Sequence, residues 1–322
     1  MRVSVRTLVL LMSVLVGAAS ARAATDYPNR PVRVIVPFAP GGSLDMLART
    51  IGRGLAERLG QQFVVENRSG AGGNLGHDAV AKARPDGYTM LVTSEPLTIN
   101  PALFPNLPYD VARDLAPVTL VASLSQVLIV RPASKLQTFA DYLAAATTRP
   151  EPVDYATAGL GSPGHLAGEQ LRLMTGAALV HVPYRGGGPA VADVAAGQIE
   201  SGIMTLPAAL ALIQSGAVRA LAVTSRARAG VLPDVPTIGE TVPGFAVDSW
   251  QAVLVPAGTP ADIVGLLNRE IVALVAQPAV RDLLDKQGFD VVGSTPGALG
   301  QRIAEELAKW RRFAKQADIH ID

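Results

Sequence analysis

The stretch YATAGLGSPGHLAGEQ, Tyr155–Gln170, passes from a β-rich run through a glycine turn into a helical run. Gly159, Gly161 and Gly164 spell G-x-G-x-x-G, the spacing that lets a backbone wrap a dinucleotide pyrophosphate. Such a site also needs an Asp or Glu about 20 residues further on to bind the ribose hydroxyls. Between Glu169 and Asp193 there is no carboxylate, and the next strand ends in His181-Val182-Pro183-Tyr184-Arg185. An NAD(P)-binding protein built on these glycines is therefore the weaker alternative. No Gly-Lys pair exists for a Walker loop, and Leu160 stands where a nucleophile elbow needs glycine. What the loop retains is a helix start, with Ser162 suited to the N-cap and Pro163 to the first helical position. Its glycines leave backbone N–H groups pointing at one spot, where the helix dipole also favours an anion.

Two more loops repeat the theme. FAPGGSLD (Phe38–Asp45) follows the strand VRVIVPF and opens a helix expected over Leu44–Leu59; PYRGGGPA (Pro183–Ala190) follows the strand ALVHVPY. Asp45 either stabilises its helix start or orients a water or ligand hydroxyl. Around these loops, short β-rich runs (FVVEN, YTMLVTS, PVDYATA, QIESGIM, RALAVTS) alternate with helical patterns, the signature of an α/β fold with parallel strands. Further helices are expected near 75–82, 189–196 and 207–215. TLVASLSQVLIVRP, from Thr119, is a long β-rich run without a turn, and AVDSWQAVLVPAGTP is its return. Two βαβ series joined by two extended crossings imply two lobes facing a cleft. Ligands of open α/β sheets sit at the carboxyl ends of strands, which is where all three loops fall.

Composition narrows the function. Charged residues make up 17% and hydrophobic residues 49% of the 322, so a well-buried globular protein is expected. Arg2 and Arg6, the apolar run Leu8–Val16 and the ending Ala21-Arg22-Ala23 form a secretory signal peptide, residues 1–23, cut after Ala23. The apolar core is shorter than the roughly 20 residues that span a bilayer. Without Arg2, Arg6 and Arg22, 25 of the 28 basic residues remain against 27 acidic ones, a formal charge of −2. That balance gives no electrostatic case for nucleic acid, and 5% aromatic content gives few stacking platforms. The absence of cysteine excludes thiolate metal sites, cysteine nucleophiles and a lipid-modified cysteine tether.

Beyond these features, YPNRPVRVIVPFAPGGSLDMLAR, VVENRSGAGGNLG, KARPDGYTMLV, NPALFPNLPYD, YATAGLGSPGHLAGE, HVPYRGGGPA, RALAVTSRARAGVLPDVPTIGE and SWQAVLVPAGTP resemble, in order, the Bug family of tripartite tricarboxylate transporter substrate-binding proteins. The resemblance spans essentially the whole mature chain. It implies a type II periplasmic binding protein fold, with lobe I over 24–122 plus 247–322 and lobe II over 123–246. It implies a small-molecule organic acid whose carboxylate is pinched between the loop at Pro40–Asp45 and the loop at Thr157–Ser162, partly through water. It also implies two integral membrane subunits as partners; a periplasmic monomer without cofactor or metal is expected. Where family members carry an acidic residue before Leu-Pro, this chain has Ile203-Met204-Thr205, so a ligand without an ammonium group is expected. Leu44 and His77 also depart from the family pattern.

The candidate ligand contacts are Phe38, Pro40, Gly41, Gly42, Ser43, Asp45 and Ser94 in the first lobe, and Thr157, Gly159, Gly161, Ser162, His165, Tyr184 and Thr205 in the second. Tyr184 and Trp250 stand near strand termini, Trp250 chiefly as a packing residue. His165, in the first turn of a helix, is expected to have a lowered pKa from the helix N-terminus. Among His77, His165, His181 and His320 no H-x-x-x-H or H-E-x-x-H pair supports a metal. The competing class is an exported hydrolase using Ser162 with His165, Glu169 orienting the imidazole. It conflicts with a Ser162 hydroxyl engaged in capping. No catalytic residue is assigned.

Overall fold

The computed structural model describes residues 27–104 and 106–317; the expected signal peptide lies outside the described residues. Val32, Val34, Ile35 and Val36 are fully buried in the first strand, β1 (Val32–Val36), because its parallel partners are covered by helices on their faces. α1 (Ser43–Leu59), β2 (Phe63–Asn67), α2 (Asn74–Ala81) and β3 (Thr89–Thr93) complete the first βαβ series. α3 (Pro96–Leu103) and the single turn α4 (Val111–Asp114) then lead into β4 (Leu115–Val130). The second series runs α5 (Phe139–Thr148), β5 (Val153–Thr157), α6 (Pro163–Thr175), β6 (Leu179–Pro183), α7 (Gly187–Ala196), β7 (Ser201–Thr205), α8 (Leu206–Gln214) and β8 (Arg219–Val223). The chain returns through β9 (Asp248–Pro256) to α9 (Ala261–Val275), α10 (Pro278–Lys286), β10 (Asp290–Val291) and α11 (Pro296–Ala317).

The strands follow the order β2-β1-β3-β9-β4-β7-β5-β6, with β8 and β10 also pairing β4. β4 is one 16-residue strand with two neighbourhoods. Leu115–Ser125 pair antiparallel with β9, whereas Gln126–Val130 lie between β7 and β8. The partners change between Ser125 and Gln126, inside the segment expected to cross between lobes.

Each lobe has its own core. In the first, Leu47, Ile51 and Leu55 of α1 pack with Val34, Met90 and Val253 of the strands and with Leu267 and Ile271 of α9. In the second, Leu128, Tyr155, Leu171 and Ile203 share one cluster, and Val127, Ala156, Val191 and Met204 another. Trp250 is fully buried in lobe I, its indole N–H shared between the two carboxylate oxygens of Glu306 at 2.9 and 3.0 Å. Its role is packing. Among the described residues, no single helix is long and apolar enough to cross a membrane.

The C-terminal helices thus complete the first lobe. Truncating a fully buried aliphatic side chain there removes contacts and leaves a cavity, at about 2–5 kcal/mol. Ile271→Ala is expected to lower unfolding stability in urea by that amount; an unchanged midpoint would show that α9 is dispensable to the core.

Candidate functional site

A cavity of about 40 Å³ lies between the lobes, where the carboxyl ends of the parallel strands meet. Five helices begin on its wall. Gly42, Ser43, Leu44 and Asp45 bring the start of α1; Ser94 and Pro96, that of α3; Ser162, Pro163 and Gly164, that of α6. Gly187 opens α7, and Thr205 is the N-cap of α8. The first turn of a helix has N–H groups without intrahelical acceptors and carries the positive end of the dipole. Both lobes therefore aim positive backbone ends at one small space.

Among the described residues, no cationic side chain lines that space. The only ionisable group on the wall, among the described residues, is Asp45, and its partners are already in place. It accepts from Arg49 Nε at 3.0 Å and Nη2 at 2.9 Å, from Asn67 Nδ2 at 3.0 Å and from the Gly41 N–H at 3.2 Å. Burial by itself would raise its pKa, but the donors Arg49, Gly41 and Asn67 prevail and hold it below the ordinary value. Asp45 braces the loop rather than presenting charge to a ligand.

The two helix starts differ in how they are satisfied. In α6, Ser162 Oγ accepts the His165 N–H at 3.3 Å and Pro163 has no N–H, which leaves Gly164 facing the cavity. In α1, the N-cap is Gly42, extended and without a side chain to accept, while Ser43, Leu44 and Asp45 are buried. The first-turn amides of α1 are shielded from bulk water, and no side chain caps them. They are donors that an acceptor in the cavity can reach.

The lobes touch at the cavity rim. The Ala39 N–H of the first lobe donates to the Arg185 carbonyl of the second at 2.9 Å. A Cβ on Gly188 would stand 2.8 Å from the Pro40 carbonyl oxygen, and one on Gly161 would stand 2.5 Å from Asn100 Oδ1. The glycines of PYRGGGPA, expected as an anion cradle, mainly allow this close approach; Gly187 alone of the three reaches the cavity.

Of the residues expected at the ligand, Phe38, Gly42, Ser43, Asp45, Ser94, Ser162 and Thr205 lie on the cavity wall. Pro40 and Gly41 sit on the exposed rim, against Gly188. Thr157 and Gly159 lie beneath the wall, where the Gly159 N–H donates to Thr157 Oγ1 at 3.1 Å and that hydroxyl meets His181 Nε2 at 2.6 Å. The Gly161 N–H is taken by His165 Nδ1 at 3.2 Å, so the amides of Gly159 and Gly161 are bonded within the loop, while Ala158 lies on the wall. Tyr184 Oη donates to Asp193 Oδ2 at 2.6 Å and turns away from the cleft. Ser162, His165 and Glu169 do not assemble a relay: the imidazole faces Gly161, and Glu169 binds Arg172 at 2.9 Å. Gln126, Ser249 and Gln251, from the crossing strands β4 and β9, line the wall and were not expected from the sequence. Their one legible sign is polarity within an apolar β-run. Met204 is buried in the lobe II core, while Ile203 and Thr205 flank it on the cavity side.

Residues 47–319 match the family described as tripartite tricarboxylate transporter family receptor, TctC. The chain belongs to the TctC family. It is 43% identical over 308 residues to Protein BugT of Bordetella pertussis, covering 95% of this chain and 94% of that one. A solved structure of an R. palustris protein with adipate is 37% identical with a TM-score of 0.88, covering 92% of this chain and all of the other. MatC from Rhodopseudomonas palustris with bound malate is 33% identical, with a TM-score of 0.84 over 89% of this chain and 99% of that one. The two-lobed type II periplasmic binding protein fold follows from these likenesses as well as from the sheet.

In this TctC-family receptor the crossing strand β9 is clasped by a buried carboxyl group. Glu95, at the start of α3, accepts from the Trp250 N–H and from Ser249 Oγ at 3.1 Å, both on β9. Burial, then the neighbouring Glu306, raise its pKa from 4.5 to about 8 against those hydrogen bonds. The histidines shift the other way: His77, fully buried between Tyr109 and Thr93, falls to about 3 by burial. His165 is lowered, the direction expected, by burial against an opposing contribution from Glu169.

Two outcomes follow. Between pH 4.5 and 8 the native state holds a proton at Glu95 that the unfolded chain releases, so Glu95 lowers stability as pH rises through that window. Glu95→Gln removes this slope. Its stability relative to wild type, from urea unfolding at pH 5 to 8.5, is expected to grow with pH; a constant difference would place the proton elsewhere. Gly188 lies in α7 at a φ open to any residue, so the cost of Gly188→Ala comes from its Cβ meeting the Pro40 carbonyl oxygen at 2.8 Å, which forces the two rims apart. The substitution obstructs closure, at about 1–3 kcal/mol of binding energy by calorimetry. Undiminished affinity would mean that the rim contact plays no part in capture.

Proposed function

We propose that this protein captures a small organic acid by its carboxylate, between two closing lobes, without making or breaking a covalent bond. The observation that carries this is the convergence of five helix starts on a wall with no cationic side chain. Such a site stabilises an anion through fixed dipoles in a desolvated space, where they act more strongly than in water. The ligand contacts are the first turn of α1 together with Ser94, Ser162, Gly164, Gly187 and Thr205, while Gly159, Gly161 and His165 shape the α6 start from behind. Adipate and malate, named with two relatives, belong to the same chemical class.

The ligand carries no ammonium group. Asp45, the single carboxylate on the wall, is engaged by Arg49, Asn67 and Gly41, so a buried cation would lack a partner. Export by a signal peptide cut after Ala23 places the mature monomer in the periplasm. There it delivers its ligand to two integral membrane subunits that read the closed form. The lobes divide as 24–122 plus 247–322 and 123–246, with β4 and β9 as hinge. Closure is driven only by contacts a ligand makes better in the shut form, and amides from both lobes reach one carboxylate only there.

A thermal-shift screen of the mature protein against mono-, di- and tricarboxylates, with aspartate and glutamate included, tests this. A ligand bound by the native state alone at 100 times its Kd adds about 2.7 kcal/mol. One or more plain or hydroxylated acids should raise the melting temperature above either amino acid. The largest rise from aspartate or glutamate would contradict the ligand class, and no rise from any acid would contradict the function.

A further inference from the structure

Two buried amides on the cavity wall are incompletely bonded. Gln126 on β4 and Gln251 on β9 are each 1% exposed, and both line the cavity. Gln126 Nε2 and Gln251 Oε1 are buried without a hydrogen-bond partner in the protein. The other end of the Gln251 amide is fixed, since its Nε2 donates to Ser43 Oγ at 2.6 Å in the first turn of α1. The backbone of Gln126 is fixed as well: its N–H donates to Thr224 Oγ1, and its carbonyl accepts the Thr224 N–H, each at 3.0 Å. Its strand partner is Thr205, another residue of the wall. The cavity therefore offers one free donor and one free acceptor on rigid strands. A ligand that fills the cavity leaves both atoms unpaired unless it bonds them itself.

A carboxylate is an acceptor only. It can take the Gln126 donor, but against Gln251 Oε1 it sets one lone pair against another. The ligand needs a donor of its own for Gln251. An ammonium would be a buried cation with Asp45 already engaged, whereas a hydroxyl is a neutral donor and acceptor in one group.

We propose that Gln126 and Gln251 read a hydroxyl on the ligand, so that the preferred ligand is a hydroxycarboxylate. This rests on the carboxylate-capture reading above. The hydroxyl donates to Gln251 Oε1, and Gln126 Nε2 donates to the hydroxyl or to an adjacent carboxylate oxygen. Ser43 couples the two recognitions, because it holds the Gln251 amide while its own N–H faces the carboxylate site. An acid lacking the hydroxyl leaves a buried acceptor without a partner.

Calorimetric titration with matched pairs provides the test: malate with succinate, 2-hydroxyglutarate with glutarate, lactate with propionate. Leaving one buried polar group unpaired weakens binding by roughly tenfold to a hundredfold. In at least one pair the hydroxylated acid should bind the wild-type protein that much more tightly. Gln251→Met, which keeps the volume and removes both amide atoms, should bring the ratio close to one. Equal or inverted affinities in every pair would overturn the proposal and leave carboxylate capture standing; that is also the result for a Gln251 amide turned end for end, with its donor facing the ligand. A ratio that survives Gln251→Met would overturn the assignment to this residue. Failure of all six acids and of the wider carboxylate panel to bind would overturn carboxylate capture and the proposal together.

Discussion

Everything at the cleft depends on a helix that starts in a desolvated place without a cap. Ser, Thr, Asp or Asn at the N-cap of α1 would satisfy an orphan amide from within. Gly42 cannot, and Asp45, which could reach back, is turned to Arg49, Asn67 and the Gly41 N–H instead. The fold thus keeps a set of buried donors open and braces them from behind. That arrangement favours an anion in the cavity, and it discriminates against cations because no free carboxylate stands nearby.

Closure and recognition use the same backbone. The loop that ends in the α1 amides also makes the cross-lobe bond from Ala39 to Arg185, and Gly188 lets the two chains meet there. β4 and β9 run through both events, since they join the lobes and carry Gln126, Ser249 and Gln251 to the cavity wall. Glu95 fastens β9 at Ser249 and Trp250, one residue from the wall positions Ser94 and Pro96. A motion of either crossing strand is therefore felt at the ligand.

The architecture was legible because strand and helix patterns alternate cleanly, and because the unbroken β-rich run from Thr119 has only one use in a two-lobed protein. The Ser162 cap was legible for a local reason, as a serine followed by proline and glycine. α3 was not, since Pro101 and the β-branched Thr98 and Ile99 weaken its helical signal and burial supplies what propensity lacks. At the site, strand-end glycines pointed to the right place but not to the right atoms. Gly159 and Gly161 spend their N–H groups on Thr157 and His165, and whether a turn amide faces in or out depends on neighbours distant in sequence. Gln126 and Gln251 were missed because the face a crossing strand turns to the cleft is fixed by how two lobes meet. His77, a departure without an account at the level of sequence, bridges Thr93 and Tyr109 inside lobe I.

The central claim is that the α1 amides, and not a charged side chain, hold the ligand's anionic group. A crystal structure of the protein with a tightly bound acid tests it most directly. Carboxylate oxygens at about 2.7–3.2 Å from the first-turn N–H groups of α1, with atoms of lobe II completing the shell, are the predicted result. A carboxylate paired with an arginine or lysine, or lodged outside the space between the lobes, would contradict it.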